Sequence, residues 1–165
     1  MKINLRKANK HDIPAILELI TELAEYERAV HEVTIDLTQL ETDGFGSNPL
    51  FEVIIAEHSE GIAGMAFWFY AYSTWKGKCI YLEDIVVKKD LRSQGIGTLL
   101  FEAVIARAGE VNAKRLMWQV LDWNEPAIAF YKKYKPDFSN EWLNVRMNEF
   151  QIEELSQKII RNAAN

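Results

Sequence analysis

LRSQGIGTLLFEAVIARA, residues 91–108, passes from a polar, glycine-bearing loop into an apolar helix, directly after the strand-like run CIYLEDIVV at 79–87. Gly95 and Gly97 stand where the helix begins. Glycines there let the backbone approach a ligand closely or take angles that side chains resist. The first amides of a helix lack intrahelical acceptors, and the dipole adds positive potential, so the junction predicts an anion site. A phosphate-binding P-loop ends in Gly-Lys-Ser/Thr, whereas Gly97 is followed by Thr98 with no lysine. The dinucleotide fingerprint needs a third small residue where Leu100 stands, and it must follow a first strand. What remains is Arg-x-x-Gly-x-Gly from Arg92 to Gly97. At this point a ligand-free, glycine-softened turn competes with the anion site.

The rest of the chain narrows the classes. Its 165 residues suffice for one domain with a real core, and the expectation is a single domain over 1–165. The net charge of −5 and the lack of a Lys/Arg stripe argue against nucleic-acid binding and suit a cationic ligand somewhat better. The single cysteine, Cys79, excludes an internal disulfide and fits a reducing compartment, so a cytoplasmic location is expected. No stretch approaches the ~20 apolar residues of a membrane span, and MKINLRKANK has no apolar signal core. His11, His31 and His58 are scattered, so no metal is implied.

Periodicity gives a first strand over residues 3–6 and a helix from about Asp12, with Pro14 tolerable in its opening turn. Residues 35–43 read as a second helix running into the loop DGFGSNP. LFEVIIAE and GIAGMAFWFYAY read as a hairpin around HSEG, and KCIYLEDIVV as the next strand. After the glycine loop and its helix come a strand RLMWQVL, a helix NEPAIAFYKKY, a last strand WLNVRMN and a helix over 149–161. The expected class is α/β (α+β), a mixed, mostly antiparallel sheet with helices on both faces.

Within CIYLEDIVV, Glu83 and Asp84 place two carboxylates in an apolar strand, and alternation sends them to opposite faces, Glu83 with Tyr81, Ile85 and Val87. A buried carboxylate is costly unless paired, so pairing with an Arg or Lys competes with a chemical role for each. Tyr131 in AFYKKY reads either as a packing aromatic or as a phenol able to give up a proton. Asn124 fits an N-cap for the helix that Pro126 begins. Tyr26 and Glu27 would offer a cation an aromatic face and a carboxylate, although an exposed helical Glu is commonly just solvated.

Arg92 to Gly97 resembles the pyrophosphate loop of the GCN5-related N-acetyltransferases, whose consecutive amides wrap the diphosphate of coenzyme A. Asn124, Tyr131 and the strand carrying Ile85 to Val87 stand in the same order and spacing as in that family. ELAEYE, DGFGSNP, YSTWKGKCIYLEDIVV, LRSQGIG and LDWNEPAIAFYKK resemble its diamine/thialysine branch, the spermidine/spermine N1-acetyltransferase-like proteins, over residues 22–133. YSTWKG with LDWN looks particularly like the thialysine acetyltransferases.

The resemblance implies acetyl-CoA as co-substrate, held by Ile85, Val86, Val87, Arg92, Ser93, Gln94, Gly95, Ile96, Gly97, Thr98, Asn124, Pro126 and Tyr131. It implies direct transfer, in a ternary complex, to a primary amine of a small diamine, polyamine or thialysine-like amino acid. That amine would meet Tyr26, Glu27, Ser73, Trp75, Glu83 and Trp118. An amine of pKa near 10 is about three units from its neutral form at pH 7, which adds roughly 4 kcal/mol to the barrier. Glu83 is the family position that meets the amine and its proton, and Tyr131 the one that protonates the departing thiolate. A carboxylate usual in polyamine-acetylating relatives is Ser73 here, so a thialysine-like amino acid or short diamine is expected over spermine. The family's habit also implies a homodimer. Other amine acceptors, such as a protein N-terminus or an aminoglycoside, compete with this reading. So does a non-catalytic acyl-CoA-binding module, against which the presence of both Glu83 and Tyr131 argues. The chain departs from the family after FYKK, where Tyr134-Lys135-Pro136 replaces a helix-ending glycine. Lys135, pushed off helical angles by the proline, should still stop the helix, with a changed route towards Glu141 and the subunit interface.

Overall fold

The computed structural model describes residues 1–139 and 141–163. The chain packs as two compact units, residues 1–119 and 120–165.

The first unit is built on a five-stranded sheet in the order β1-β2-β3-β4-β5. Its strands are β1 (Asn4–Lys7), β2 (Glu52–His58), β3 (Gly61–Ser73), β4 (Gly77–Val87) and β5 (Arg115–Met117). The first four run antiparallel to their neighbours and β5 is parallel to β4. Helices α1 (Ile13–Tyr26) and α2 (Leu37–Phe45) cover one face, and α3 (Ile96–Glu110) covers the other. Alternation along the strands makes this possible. Val53, Ile55, Met65 and Val86 pack with Ile13, Ile16 and Leu19 of α1 and Leu40 of α2. Tyr70, on the opposite face, meets Arg107 of α3, whose Nη2 donates to the phenol oxygen at 2.9 Å. Both faces are therefore sealed by apolar helix stripes.

α1 starts from a well-anchored corner. Asp12 accepts two bonds of 2.7 Å from the Arg6 guanidinium and one of 2.8 Å from the Asn9 amide. These donors, Arg6 first, hold its carboxyl below the usual range despite burial. α1 ends at Tyr26, and just beyond it Arg28, with a left-handed φ of 61°, turns the chain and lets the Ala29 amide reach back to the Ala24 carbonyl at 2.8 Å. That stop fixes Tyr26 and Glu27 at the helix end.

A β-bulge interrupts the β3–β4 ladder. Phe67 pairs with Asp84 and Trp68 with Leu82, so Glu83 is an extra residue with no partner on β3. The strict alternation expected for this strand does not pass through it. Tyr81, paired with Phe69, and Asp84, paired with Phe67, lie on the α1 face, while Ile85 and Val87 lie on the α3 face. Glu83 thus does not share a ladder face with Tyr81, Ile85 and Val87 together.

The expected strand RLMWQVL is only the three residues of β5. β5 pairs with β4 from Cys79 to Tyr81, and pairing ends just before the bulge bends β4.

In the second unit, α4 (Glu125–Lys132) is followed by irregular chain and then α5 (Glu149–Ala163). The expected last strand over 142–148 does not form. Its alternating Leu143 and Val145 are each 89% exposed, because among the described residues no strand lies beside them to complete a ladder. The helix does stop before Pro136, with Lys135 in a left-handed conformation at φ 52°.

Candidate active site

The loop between β4 and α3 is shaped as its composition demands. Ser93 and Gly95 adopt left-handed φ values of 61° and 83°, and Gly95 is the N-cap of α3. No side chain caps this helix, so its first-turn amides are offered to solvent together with the positive end of the dipole. A side-chain carbon at Gly97 would meet only Val87 Cγ2, at 3.9 Å, leaving the approach to the loop open. Immediately upstream, β4 has no partner strand on its β5 side from Leu82 to Val87 among the described residues. An open strand edge carrying Ile85, Val86 and Val87 therefore leads straight into an uncapped helix start. This combination fits a ligand with amides along its length and a diphosphate at its end, as acetyl-CoA has.

The Arg92 side chain is turned back to the protein. Its Nε donates to the Val87 carbonyl at 3.0 Å, its Nη2 lies 3.4 Å from Glu22 Oε1, and its Cζ lies 5.1 Å from the centre of the Tyr26 ring. Tyr26 and Glu27 are thereby set beside the loop by the end of α1.

Carboxylates gather on this side. Glu27 is half-buried at the C-terminal end of α1, and burial raises its pKa. Asp84 is pushed up to about 7, first by burial and then by the negative charges of Glu83 and Glu27. Tyr81 is raised by burial and by Glu83. Among the described residues no Lys or Arg forms an ion pair with Glu27, Glu83 or Asp84, so the pairing considered for the two strand carboxylates is absent. Three acidic groups, two of them acting on the buried Asp84 and none with a Lys or Arg partner among the described residues, make a site suited to an external cation.

The structure thus brings Tyr26, Glu27, Glu83 and the loop of Arg92 to Thr98 into one neighbourhood. Ser73 and Trp75 are elsewhere, at the β3–β4 hairpin tip. Ser73 Oγ there accepts from the amides of Trp75 and Lys76 at 3.3 and 3.2 Å. Glu83 is six residues along β4 from Gly77, the pairing partner of Ser73, or roughly 20 Å at ~3.3 Å per residue. Trp118 stands edge-on to Phe101 of α3, 5.3 Å between ring centres, on the opposite side of the sheet from Tyr26. Within the second unit, Asn124 caps α4 by accepting from the Ala127 amide at 3.2 Å, Pro126 sits in the first turn, and Tyr131 is buried.

Two features escape sequence reading. The bulge has no residue signature in LEDIV. Glu22, which holds Arg92 and the loop, was signalled only by the spacing of Glu18, Glu22 and Tyr26 at four-residue intervals on one helix face.

Residues 13–135 match the acetyltransferase (GNAT) family. The thialysine N-epsilon-acetyltransferase of Mus musculus is 36% identical over 163 residues, covering 92% of this chain and 96% of that protein. Its namesake from Bos taurus is 40% identical over 138 residues, covering 79% and 81%. Among solved structures, an integron cassette protein from the mobile metagenome of V. cholerae superimposes with a TM-score of 0.77 at 22% identity, over 95% of this chain and 99% of that one, a likeness of fold. An uncapped, glycine-opened helix beside an open strand edge, in a chain matched over most of its length, makes this protein an N-acetyltransferase of the GNAT family.

Proposed function

We propose that the chain acetylates a primary amine of a thialysine-like amino acid or a short diamine, with acetyl-CoA as co-substrate. The observation that carries the amine is the unpaired trio Glu27, Glu83 and Asp84, which an ammonium group would neutralise. The relatives named thialysine N-epsilon-acetyltransferase support the substrate class.

When bound, acetyl-CoA supplies an acetyl thioester and leaves as the thiol. The amides from Ser93 to Thr98 hold the diphosphate, and the open edge at Ile85, Val86 and Val87 pairs with the pantetheine amides. Asn124 and Pro126 are assigned to the same co-substrate by the family resemblance. Tyr26 and Glu27 bind the cationic end of the amine. Glu83, exposed at the bulge, takes the ammonium proton and passes it to solvent; Tyr131 gives its Oη proton to the departing sulfur and is reprotonated from solvent, which takes up the second proton the nitrogen loses on becoming the amide. Trp118, packed edge-on to Phe101 of α3, is not among the residues that meet the amine in this scheme. Residues 1–165 act as one domain, a reading supported by a family match that runs across both units. The protein works in the cytoplasm as a homodimer. The exposed Trp142, Leu143 and Val145 support the homodimer, and the single cysteine supports the compartment. No helix among the described residues is long and apolar enough to cross a membrane.

Ser73 and Trp75 matter in this scheme only to a long amine, because the hairpin tip is beyond the reach of a lysine-sized molecule. The test is kcat/KM for thialysine, 1,3-diaminopropane, spermidine and spermine, on the wild type and on Ser73→Asp. Asp can still accept from the turn amides, so the variant keeps its hairpin. Thialysine should lead in the wild type, and Ser73→Asp should improve spermine several-fold while leaving thialysine unchanged. Spermine as the best wild-type substrate would overturn the assignment.

A further inference from the structure

Glu22 belongs to none of the groups that bind acetyl-CoA or the amine, yet it touches the parts that do. One carboxylate oxygen, Oε1, accepts the backbone N–H of Lys89 at 2.8 Å and lies 3.4 Å from Nη2 of Arg92. Arg92 in turn donates from Nε to the carbonyl of Val87, the last residue of β4, and its guanidinium covers the Tyr26 ring at 5.1 Å. Tyr26 is one helical turn beyond Glu22 on the same face of α1. The side chain of Glu22 is 25% exposed, so its charge is only partly screened. A single carboxylate therefore ties the amine-binding end of α1 to the end of β4 and to the segment that leads into Ser93–Thr98.

We propose that Glu22 is a positioning residue that sets the amine-binding pair Tyr26 and Glu27 and the coenzyme loop in register with each other. The inference rests on the functional reading above. Without the Glu22 charge, Arg92 loses its ionic anchor, Tyr26 loses the cation on its face, and Lys89 loses the acceptor that starts the loop. Both substrates then bind a site whose two halves are no longer held together. Glu18 is the internal control. It lies one turn earlier on the same face and pairs with Lys88 at 3.2 Å, but touches neither Arg92 nor the Lys89 amide.

The test is steady-state kinetics of wild type, Glu22→Ala, Glu22→Gln and Glu18→Ala, each shown folded by circular dichroism and a melting curve. Glu22→Ala should raise KM for both acetyl-CoA and thialysine about tenfold, equivalent to ~1.4 kcal/mol each, with kcat changed less than threefold. Glu22→Gln, which keeps an acceptor for Lys89 but not the charge, should fall between wild type and Ala. Glu18→Ala should match the wild type. A purely structural role for Glu22 would lower the melting temperature and the active fraction, hence apparent kcat, and leave both KM values alone. Both KM values within twofold of wild type in folded Glu22 variants would overturn the inference, as would a rise for acetyl-CoA alone or equal rises in Glu18→Ala. Those results would leave the functional reading standing, whereas a wild type that acetylates no amine would remove both. Should Glu22→Ala fail to fold, the two KM values of Glu22→Gln decide.

Discussion

Gly97 separates folding from binding at a single atom. A Cβ there meets the protein only at ordinary van der Waals distance, 3.9 Å from Val87 Cγ2, so the structure itself has room for a side chain. Gly97→Val should therefore melt within a few degrees of wild type and lose at least tenfold in acetyl-CoA affinity by calorimetry. Gly95 is a poorer probe, because its φ of 83° strains any replacement before a ligand is involved. Normal acetyl-CoA binding by folded Gly97→Val would mean that the loop does not hold the coenzyme. The proton-moving pair is tested in the same way. Tyr131→Phe should lower kcat by the roughly 10²–10⁴-fold of a lost general acid, with acetyl-CoA affinity little changed. Glu83→Gln should flatten the alkaline rise of kcat/KM. An unchanged kcat would return Tyr131 to packing, and an unchanged pH profile would assign the proton to water. The glycine loop was readable in the sequence because backbone freedom is written in residue type. The direction taken by Arg92 was not, since an arginine beside an anion loop looks the same whether it faces the ligand or Glu22.

At the scale of elements, the β4 bulge does most to arrange the site. By inserting Glu83 it leaves Asp84 on the α1 face near Glu27, and β4 runs on to Val87 beyond its pairing with β5. The energetic consequence is measurable. Asp84 binds its proton with a pKa of about 7 in the folded protein, against the ordinary 3.8, so between these values the folded state holds more protons than the unfolded. Stability must then fall as pH rises through that window, by roughly 2–3 kcal/mol between pH 5 and pH 8. Asp84→Asn should lose most of this slope and gain on the wild type at pH 8 relative to pH 5. Urea unfolding at the two pH values checks it, and parallel behaviour of the two proteins would contradict the carboxylate arrangement. Helices α1, α3 and α4 and the first four strands were legible because their apolar residues repeat at 3.6 or 2 and their ends carry Pro14, Asn124 and the glycine loop. The strand expected at WLNVRMN was not formed. Alternation in Leu143, Val145 and Met147 records which side chains seek burial, and a strand also needs a neighbour, which no local pattern supplies.

For the whole molecule, the division of labour follows from where charge is left unbalanced. Several charges of the first unit are paired, as Arg6 is with Asp12 and Glu57, and Arg107 with Glu52 and Glu110. The carboxylate trio, by contrast, has no Lys or Arg partner among the described residues, and it lies beside a loop whose helix start has no side-chain cap. One side of the site calls for a cation and the other for an anion, which an amine and acetyl-CoA supply together. The most direct measurement follows free thiol release from acetyl-CoA with thialysine as the sole amine, together with the mass of the product. Our account predicts thiol release that saturates with thialysine, matches formation of mono-acetylated thialysine one for one, and collapses in Gly97→Val. Thiol release no faster with thialysine than without any amine, or release with no acetylated product, would contradict it.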